Sequence, residues 1–392
     1  MITKLAGVWP FFSGREIESV SRVIESGKVN YWTGQEGRRF ETEFAKLCGV
    51  NQAVALANGT LALDLALKAL GIGPGDEVIV TPRTFIASVS SVVNAGAAPV
   101  FADVNRDSGN IDPTTIEAVI SKKTKAIIPV HLAGWPCDMA GITALAKAHR
   151  LYVIEDCAQA HGAKIGDKMV GSMGDIGAWS FCQDKIMSTG GEGGMVTTNS
   201  ENLWSKMWSY KDHGKSWDAV YNREHQPGFR WLHESFGTNW RMLEVQAAIG
   251  RIQIERLEDW IKRRNLIARA ISQKLEHFSD AVRVPKPDHN ATHAYYRLYA
   301  YVKPQGLKSG WHRDRIVAEI NEIGFPAFQG SCSEVYMEKA FDDTGFRPSR
   351  RLPVARELGE TSLMFLTHPT ITDKDLDAYC NAIEQVMERA SA

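Results

Sequence analysis

The sequence is poor in cysteine and lacks the spacings in which cysteine has a structural role. Its six cysteines are Cys48, Cys137, Cys157, Cys182, Cys332 and Cys380, and no CxxC pair occurs among them. Disulfide frameworks and structural zinc sites need cysteines in closely spaced sets. We therefore expect reduced thiols and no metal site.

An excess of charge and a long apolar run are also lacking. The chain has 45 Lys and Arg against 46 Asp and Glu, a net charge of −1, so no overall field attracts nucleic acid or an anionic membrane. No apolar run approaches the ~20 residues that cross a bilayer, and the opening MITKLAGVWPFFSGRE lacks the apolar core of a secretion signal. We expect a cytoplasmic protein with no nucleic-acid or membrane partner. Any anion that it binds must be held by a local cluster or by backbone amides.

What is present is a regular alternation of apolar strands and amphipathic helices, within a composition of 44 % hydrophobic and 23 % charged residues that is typical of globular proteins. The strand-like runs are AVALA (53–57), EVIVT (77–81), PVFADV (99–104), KAIIPVH (125–131) and LYVIED (151–156). Nearly continuous apolar strands separated by helices predict an α/β fold with a doubly wound, mainly parallel sheet. Ligands of such sheets bind beyond the carboxyl ends of the strands.

The second half of the chain indicates a smaller unit. Residues 241–278 have the pattern of one long helix or of two in sequence, and a last helix is expected from about Asp373, with Thr372 as its N-cap. We predict a large domain at 1–250, which includes the N-terminal helices, and a small α+β domain at 251–392.

Three strand ends carry residues suited to chemistry. After AVALA come Gly59 and Thr60 at the start of a helix, where free amides and the helix dipole favour a phosphate, although an ordinary helix cap has the same pattern. Asp156 ends LYVIED and is suited to pair with a protonated ring nitrogen, although a helix cap or a buried salt bridge would also explain it. Lys185 follows the strand that carries Ser180 and precedes a glycine-rich hairpin. Partial burial favours imine formation by such a lysine, whereas most lysines are merely solvated.

These features occur in the order expected of a pyridoxal-phosphate (PLP) enzyme. PLP chemistry needs a lysine that holds the aldehyde, a carboxylate that keeps the pyridine protonated and a seat that fixes the phosphate.

The chain resembles the DegT/StrS-type family of nucleotide-sugar aminotransferases, which have the fold-type-I architecture of the aspartate aminotransferase superfamily. The resemblance covers nearly the whole chain and rests on the segments YWTGQEGRRFETEFA, NGTLALDLAL, TPRTFIAS, IPVHLAGWPCDM, IEDCAQAHGA, SFCQDKIMSTGGEGGMVTTN, GTNWRMLEVQAAIGRIQ and SLMFLTHPT. One difference is FCQDKIMSTGGEGGM, where the commoner version has Pro-Thr-Lys.

The resemblance implies a role for each matching residue. Lys185 would be the Schiff-base lysine and would move the proton, while Asp156 would pair with the pyridinium nitrogen. Gln159 would contact the phenolic oxygen of the ring and Phe85 would stack on its face. The phosphate would be held by Gly59, Thr60 and Ser180. Asn239 would reach the cofactor phosphate of a second subunit, which implies a homodimer with shared active sites.

Further residues are weaker candidates for substrate binding. They are Trp32, Thr33, His161, Lys211, His213, Arg230 and Arg241. The basic members among residues 211–241 would form a rim for a sugar diphosphate. Surface packing would equally explain Trp32 and Thr33, a structural histidine would explain His161, and solvated charge would explain the basic residues.

The resemblance implies a reaction in two halves. An amino donor, usually L-glutamate, converts PLP to pyridoxamine phosphate, and this amine then passes to a nucleoside-diphosphate 4-keto-6-deoxy sugar, with a UDP-linked, N-acetylated sugar as one form. The products of such enzymes feed polysaccharide, lipopolysaccharide or antibiotic pathways. A 3-keto sugar is the nearest rival substrate.

Two different functions on the same scaffold compete with aminotransfer. One is a PLP-dependent sugar dehydratase, and the other is a non-catalytic PLP-binding regulator. Lys185 argues against the dehydratase because dehydratase relatives carry histidine at that position. It argues against the regulator because a regulator has no need of a proton carrier.

Overall fold

The computed structural model describes residues 3–392 and shows a mixed α/β chain with three sheets. The α-helices are α1 (Gly14–Glu25), α2 (Glu36–Cys48), α3 (Gly59–Ala69), α4 (Ala87–Asn94), α5 (Pro113–Glu117), α6 (Met139–His149), α7 (Glu201–Tyr210), α8 (Trp217–Tyr221), α9 (Glu244–Glu276), α10 (Arg313–Ile323), α11 (Pro353–Thr361) and α12 (Asp373–Ala390). The strands are β1 (Gln52–Leu56), β2 (Glu77–Val80), β3 (Ala98–Phe101), β4 (Thr124–Ile128), β5 (Tyr152–Asp156), β6 (Lys164–Ile165), β7 (Lys168–Met169), β8 (Ile176–Ser180), β9 (Gly194–Thr198), β10 (Val282–Arg283), β11 (Ala291–Thr292), β12 (Arg297–Val302), β13 (Ala327–Phe328) and β14 (Ser362–Leu366).

The large sheet has seven strands in the order β1-β9-β8-β5-β4-β2-β3. The pairs β2–β3, β2–β4, β4–β5 and β5–β8 are parallel, and β9 alone runs against its two neighbours. Every residue of β8 and β9 is buried, as expected for strands covered on both faces. The carboxyl ends of β1, β2, β5 and β8 therefore meet at one edge, which confirms the predicted doubly wound, mainly parallel sheet.

Helix α2 packs on β1 of this sheet and on α9, and α1 packs on α9. Helix α1 begins at a capping box in which Glu16 accepts from the Ser13 N–H at 2.9 Å. Helix α9 is a single helix that runs without interruption past residue 250, so the proposed boundary between 1–250 and 251–392 falls inside a helix. This division of the chain is still a prediction.

The smaller unit is built on a four-stranded antiparallel sheet in the order β10-β12-β14-β13. Its apolar core joins the sheet to α10, α12 and the second half of α9, through residues such as Ile271, Leu363 and Ile383. The predicted N-cap is confirmed, because Thr372 Oγ1 accepts from the Asp375 N–H at 3.1 Å.

All six cysteines are free thiols. Within residues 3–392, no helix combines the length and the apolar character that membrane crossing requires.

Candidate active site

The predicted cofactor residues lie after four strands whose carboxyl ends share one edge of the large sheet. Gly59 follows β1, Phe85 follows β2, Asp156 ends β5, and Ser180 ends β8 with Lys185 in the connection to β9. The parallel register places these strand ends side by side. Residues from distant parts of the sequence thus occupy one region of the surface.

The floor of the site is the contact between the start of α3 and the end of β8. A side chain at Gly59 would bring its Cβ to 2.5 Å from Cβ and 2.9 Å from Oγ of Ser180, so only glycine allows this approach. Asn58 caps the helix by accepting from the Leu61 N–H at 3.0 Å. The first amides of α3, those of Gly59 and Thr60, lie at a helix N-terminus beside a serine hydroxyl, a combination suited to a phosphate.

Asp156 is a buried carboxylate that protein hydrogen bonds stabilise only in part. Oδ2 accepts from the Ser88 hydroxyl at 2.7 Å and Oδ1 from the Ala158 N–H at 3.1 Å. Burial raises the pKa of Asp156, and these bonds together with the charge of Lys185 offset the effect incompletely. Within residues 3–392 no cationic side chain forms an ion pair with it. A protonated ring nitrogen would supply the counter-charge that the carboxylate lacks.

Two further residues frame a planar ligand. Gln159 is buried and its Oε1 accepts from the Ala133 N–H at 2.8 Å, which fixes the amide and leaves its NH₂ group as a donor. Phe85 is 66 % exposed, although a phenyl ring is stabilised by burial. An aromatic ligand stacked on this ring would cover it.

Lys185 is held by its backbone as well as by its side chain. The indole Nε1 of Trp9 donates to the Lys185 carbonyl oxygen at 2.9 Å. The ammonium lies 3.9 Å from Oδ1 of Asp184 and 5.2 Å from the centre of the Tyr296 ring. The side chain is 15 % exposed, so Lys185 is largely buried yet accessible at the edge of the sheet.

His161 is fully buried close behind β5. Its ring lies 5.2 Å from that of Trp179 and 5.4 Å from that of Phe181. Burial, with the nearby charges of Lys185 and Arg264, lowers the pKa of His161 to about 3. The imidazole is therefore neutral, and its aromatic packing favours a structural role over contact with substrate.

The predicted basic rim is corrected at Lys211. This side chain is completely buried, with its ammonium 3.4 Å from the centre of the Tyr31 ring and 3.6 Å from Oε1 of Glu41. Burial lowers the pKa of Lys211. The segment KDHGK looks like solvated charge in the sequence, but the aromatic ring and the acid that enclose Lys211 come from a distant part of the chain. Lys211 cannot face a ligand from this position.

The other members of the rim differ in exposure. His213 and Arg230 are exposed, whereas Arg241 is half-buried and its Nη1 pairs with Oδ1 of Asp212 at 2.7 Å. The charge of Arg241 is thus already balanced within the chain. His213 and Arg230 remain available to an anionic ligand.

Trp32 and Thr33 lie in a turn before α2. Trp32 packs edge-on against Trp208, with ring centres 6.0 Å apart, and the Lys215 ammonium lies 3.9 Å from its ring. Thr33 is exposed, and its N–H donates to Asn30. The packing of Trp32 favours a structural contact, while Thr33 is free to meet a ligand.

Asn239 is exposed in the segment that precedes α9. The carbonyl oxygen of the next residue, Trp240, accepts from the Ala57 N–H at 3.0 Å. This bond places the GTNWR segment against the carboxyl end of β1 in the same chain. The Asn239 side chain is exposed at the protein surface.

A hydrogen-bonded network next to Asp156 has no signal in the sequence. His131 Nδ1 accepts from the Cys137 N–H at 3.0 Å, so its Nε2 carries hydrogen and donates to Glu155 Oε2 at 3.1 Å. Glu155 also accepts from three backbone N–H groups at 2.6–2.8 Å, those of Gly171, Met173 and Gly174. His131, Glu155 and Cys157 lie close enough to ligate a metal, but the carboxylate oxygens are already saturated. These hydrogen bonds of Glu155 fix the backbone at the carboxyl end of β5, next to Asp156.

A surface cavity of about 720 Å³ is formed by different residues, which lie away from the sheet edge. Its arginines are ion-paired: Arg106 with Glu357 at 2.6 Å, and Arg356 with Glu360 at 2.8 Å. These ion pairs leave little of the arginine charge in this cavity to an anion. The chemistry lies at the sheet edge.

The residues at the sheet edge fit the expected cofactor. The N-terminus of α3, with Gly59 at its start, suits the phosphate of the cofactor, and the uncompensated Asp156 suits its ring nitrogen. The exposed Phe85 suits the face of its ring, and Lys185 suits its aldehyde. On a doubly wound, mainly parallel sheet with a small α+β unit, this set defines a fold-type-I, PLP-dependent enzyme.

Comparison with known proteins gives the family. The sequence profile of the DegT/DnrJ/EryC1/StrS aminotransferase family matches residues 12–384. The GDP-perosamine synthase of Caulobacter vibrioides is 38 % identical over 385 residues, 96 % of this chain and 97 % of the relative. A UDP-N-acetyl-3-dehydro-alpha-D-glucosamine 3-aminotransferase of Acidithiobacillus ferrooxidans is 36 % identical over 373 residues, 95 % and 93 % of the two chains. The crystal structure of an aminotransferase from Psychrobacter cryohalolentis is 61 % identical, covers 97 % of this chain and 98 % of that one, and superimposes with a TM-score of 0.96.

The chain belongs to the DegT/DnrJ/EryC1/StrS aminotransferase family. It is a PLP-dependent aminotransferase, as the sequence predicts.

Proposed function

We propose that this aminotransferase converts a keto group of a nucleoside-diphosphate sugar to an amine, and that the ketone is at C4 of a 6-deoxy sugar. The observation that carries the proposal is Lys185, largely buried at the sheet edge that it shares with the uncompensated carboxylate of Asp156. The nucleotide-sugar substrate is supported by relatives that are named for GDP- and UDP-linked sugars and align over nearly the whole chain.

The chain's own residues divide the work. When bound, PLP supplies an electrophilic carbon and a protonated ring that accepts electron density. Lys185 holds the cofactor and then, as a free amine, moves a proton to or from the reacting carbon. Asp156 keeps the ring nitrogen protonated, because an anion beside a cation favours the charged form. Phe85, exposed after β2, would stack on the ring and exclude water from one face.

The donor and the sugar diphosphate need further contacts. We expect L-glutamate as donor, as is usual in the family. His213 and Arg230 are exposed basic side chains on the segment between α7 and α9, suited to the diphosphate. Thr33 is a secondary candidate for the same ligand, and Arg241 is another, which would have to share its guanidinium between Asp212 and the diphosphate.

We also propose a homodimer in which Asn239 contacts the cofactor phosphate of the second subunit. Support comes from the segment that carries it, where Phe229, Trp231 and Phe236 are strongly exposed and Phe236 is 99 % exposed. Large aromatic side chains exposed close together are typical of an interaction surface. A second subunit would cover them.

A second candidate substrate has its ketone at C3. The Acidithiobacillus relative, named as a 3-aminotransferase of a UDP-linked N-acetylated sugar, favours it at nearly the same identity. The rest of the site is unchanged, because both reactions need the same lysine, carboxylate and phosphate seat. The two candidates therefore differ in the pocket that orients the sugar.

The decisive experiment follows the two half-reactions in turn. Absorbance spectra of the purified protein before and after L-glutamate should show a visible cofactor band that gives way to a near-ultraviolet band. The aminated enzyme is then mixed with GDP- and UDP-linked 4-keto-6-deoxy sugars and a UDP-linked 3-keto N-acetylated sugar, and amino sugar is measured by mass spectrometry. Turnover of the 3-keto sugar alone would replace the first candidate by the second, and turnover of none would contradict the sugar assignment.

Lys185→Ala serves as the matched control. It should bind cofactor without the visible band and form no amino sugar, while its far-ultraviolet circular dichroism stays that of the wild type. An active Lys185→Ala protein would show that another group carries the proton.

The shared site is tested by mixing two inactive variants, Lys185→Ala and Asn239→Ala, after reversible dissociation. In the mixed dimer one site combines an intact Lys185 with an intact Asn239 from the other subunit. Random reassociation should restore about a quarter of wild-type activity. No recovery, although mixed dimers have formed, would place Asn239 and Lys185 of one site in the same subunit.

A further inference from the structure

A carboxylate directly precedes the lysine in the chain. Asp184 stands in the FCQDKIMSTGGEGGM segment, where the commoner family pattern has Pro-Thr-Lys. Its Oδ1 lies 3.9 Å from Nζ of Lys185, the only ion pair that the lysine forms within residues 3–392. The Asp184 side chain is 50 % exposed, so without a second contact it would move freely between the lysine and water.

The second contact comes from the small sheet. The Tyr296 hydroxyl donates a short hydrogen bond to Oδ2 of Asp184. Tyr296 immediately precedes β12, 112 residues further along the chain. Burial raises the pKa of Tyr296, so the phenol keeps its hydrogen and acts as the donor. The carboxylate is thereby fixed through Oδ2 while Oδ1 faces the lysine.

Asp184 stays ionised in this position. Partial burial raises the pKa of Asp184, but the charge of Lys185, the Tyr296 hydroxyl and the charge of Arg297 lower it by more, and the net shift is downward. The guanidinium of Arg297 lies 4.2 Å from the centre of the Tyr296 ring, on which Lys185 also lies at 5.2 Å. The Tyr296 ring is therefore contacted by the cations of Lys185 and Arg297, and its hydroxyl is bonded to the carboxylate of Asp184.

The charges around Lys185 come from several elements. The groups that interact with it are Asp184 in the same connection, Asp156 on β5, the neutral His161 behind β5 and Tyr296 before β12. Arg297 and Arg264 act in turn on Asp184 and on His161. Asp156 would be matched by the cofactor ring. Asp184 is then the one anion of this set left to the lysine.

A lysine that alternates between two states needs such a partner. In one state its nitrogen is bonded to the cofactor, and in the other it is a free amine that carries a proton between two carbon atoms. An anion at a fixed distance stabilises the proton-bearing form and limits the directions in which the free side chain turns.

We propose that Asp184, held in place by Tyr296, is a positioning residue for Lys185 that stabilises its proton-bearing state and orients its amine. The proposal rests on the proposed function for the role of Lys185. Through Asp184, Tyr296 connects Lys185 to the four-stranded sheet of the smaller unit. Asp184 itself contacts no reacting atom in this scheme.

The test is the pH dependence of the cofactor spectrum in Asp184→Asn, which keeps the shape and removes the charge. Loss of the anion makes the protonated, visible-absorbing form of lysine-bound cofactor easier to deprotonate. The midpoint of the absorbance change should therefore fall by about one pH unit. The first half-reaction with L-glutamate should slow about tenfold at saturation, with the half-saturating glutamate concentration unchanged. An unaltered midpoint in a folded Asp184→Asn protein would overturn the proposal.

Three variants complete the design. Asp184→Glu keeps the charge and should hold the midpoint within a few tenths of a unit, and Asp167→Asn, an exposed aspartate in the turn between β6 and β7, should not move it at all. Tyr296→Phe keeps the ring and releases the carboxylate, so the midpoint should fall in the same direction by less. If Asp184→Asn does not fold, the Tyr296→Phe midpoint decides, and an unchanged value there overturns the role of the tyrosine.

Failure of this proposal is distinct from failure of the proposed function. The spectrum and the glutamate reaction need no sugar, so a wrong sugar leaves them intact. A visible band that persists in Lys185→Ala would overturn the lysine assignment itself, whatever Asp184→Asn shows.

Discussion

The hydroxyl of Ser88 donates a 2.7 Å hydrogen bond to Oδ2 of Asp156, across 68 residues of sequence. Ser88 lies in the first turn of α4, just after Phe85. Ser88 therefore links Asp156, expected to pair with the ring nitrogen of the cofactor, to the segment that carries Phe85, expected to stack on the ring. Ser88 also shares a 2.8 Å hydrogen bond with Thr84, which fixes the direction of its hydroxyl.

Ser88→Ala should weaken cofactor binding about tenfold, because it leaves one oxygen of a buried carboxylate without its donor, an effect of about 1–2 kcal/mol. The measurement is a titration of the apoprotein with PLP, followed by the visible absorbance. Ser90→Ala, on the same helix and less buried, is the control and should bind as the wild type does. Equal affinity of both variants would mean that Ser88 does not hold Asp156.

Asp156→Asn should slow both half-reactions by about 100-fold, since the ring nitrogen loses its counter-charge and the cofactor becomes a poorer acceptor of electrons. Stopped-flow absorbance separates the two steps. The side chain keeps its size, so the thermal unfolding temperature without cofactor should stay equal or rise, because burial opposes the charged form of Asp156. Wild-type rates would show that the ring nitrogen lies elsewhere.

Acid should destabilise the protein through His161. The folded pKa of about 3 lies below the ordinary value of 6.5, so between these values the unfolded chain binds a proton that the folded chain rejects. Stability contributed by the neutral imidazole is complete above pH 6.5 and declines as the pH falls toward 3, by about 1.4 kcal/mol per pH unit. In urea unfolding at pH 7 and pH 5, His161→Leu should lose less stability on acidification than the wild type. The exposed His289→Leu should keep the wild-type difference.

Glu155→Gln should lower the free energy of unfolding by about 3 kcal/mol, because the amide NH₂ would face backbone donors that a carboxylate accepts. Urea denaturation at neutral pH measures the change. Glu155 is completely buried, so solvent cannot replace the lost bonds. A zinc chelator should not change the urea midpoint of the wild type. A change on chelation would instead indicate a metal site at His131, Glu155 and Cys157.

The fold could be predicted because its strands and helices are encoded by short, continuous patterns in the sequence. Buried parallel strands give continuous apolar runs, and the glycines that allow close approach, such as Gly59, stand beside the strands that they serve. The same holds for Asp156 and Lys185, each of which follows directly from a strand end. Family resemblance then assigned roles that no spacing alone defines.

What escaped prediction depends on contacts between distant residues. Lys211 is buried by Tyr31 and Glu41, which lie far earlier in the chain, and nothing in KDHGK announces this. Asp184 precedes the lysine, a signal that was visible, but its partner Tyr296 was one aromatic residue among many in HAYYRLYAYV. Residues 241–278 were predicted to form one long helix or two in sequence, and the structure shows one, α9, which runs through residue 250.

The hydrogen bond from Trp9 to the Lys185 carbonyl oxygen links the N-terminal segment around Trp9 to the proposed Schiff-base lysine. Trp9 also stacks over Arg264, with the guanidinium 4.9 Å from its ring, and meets the ring of Trp260 at 5.1 Å, so it is anchored to α9 as well. If Lys185 has its proposed role, a purification tag that displaces this segment, or a proteolytic cut after Trp9, should lower activity as an active-site mutation does. Preparations of differing specific activity should be compared first by the intactness of their N-termini.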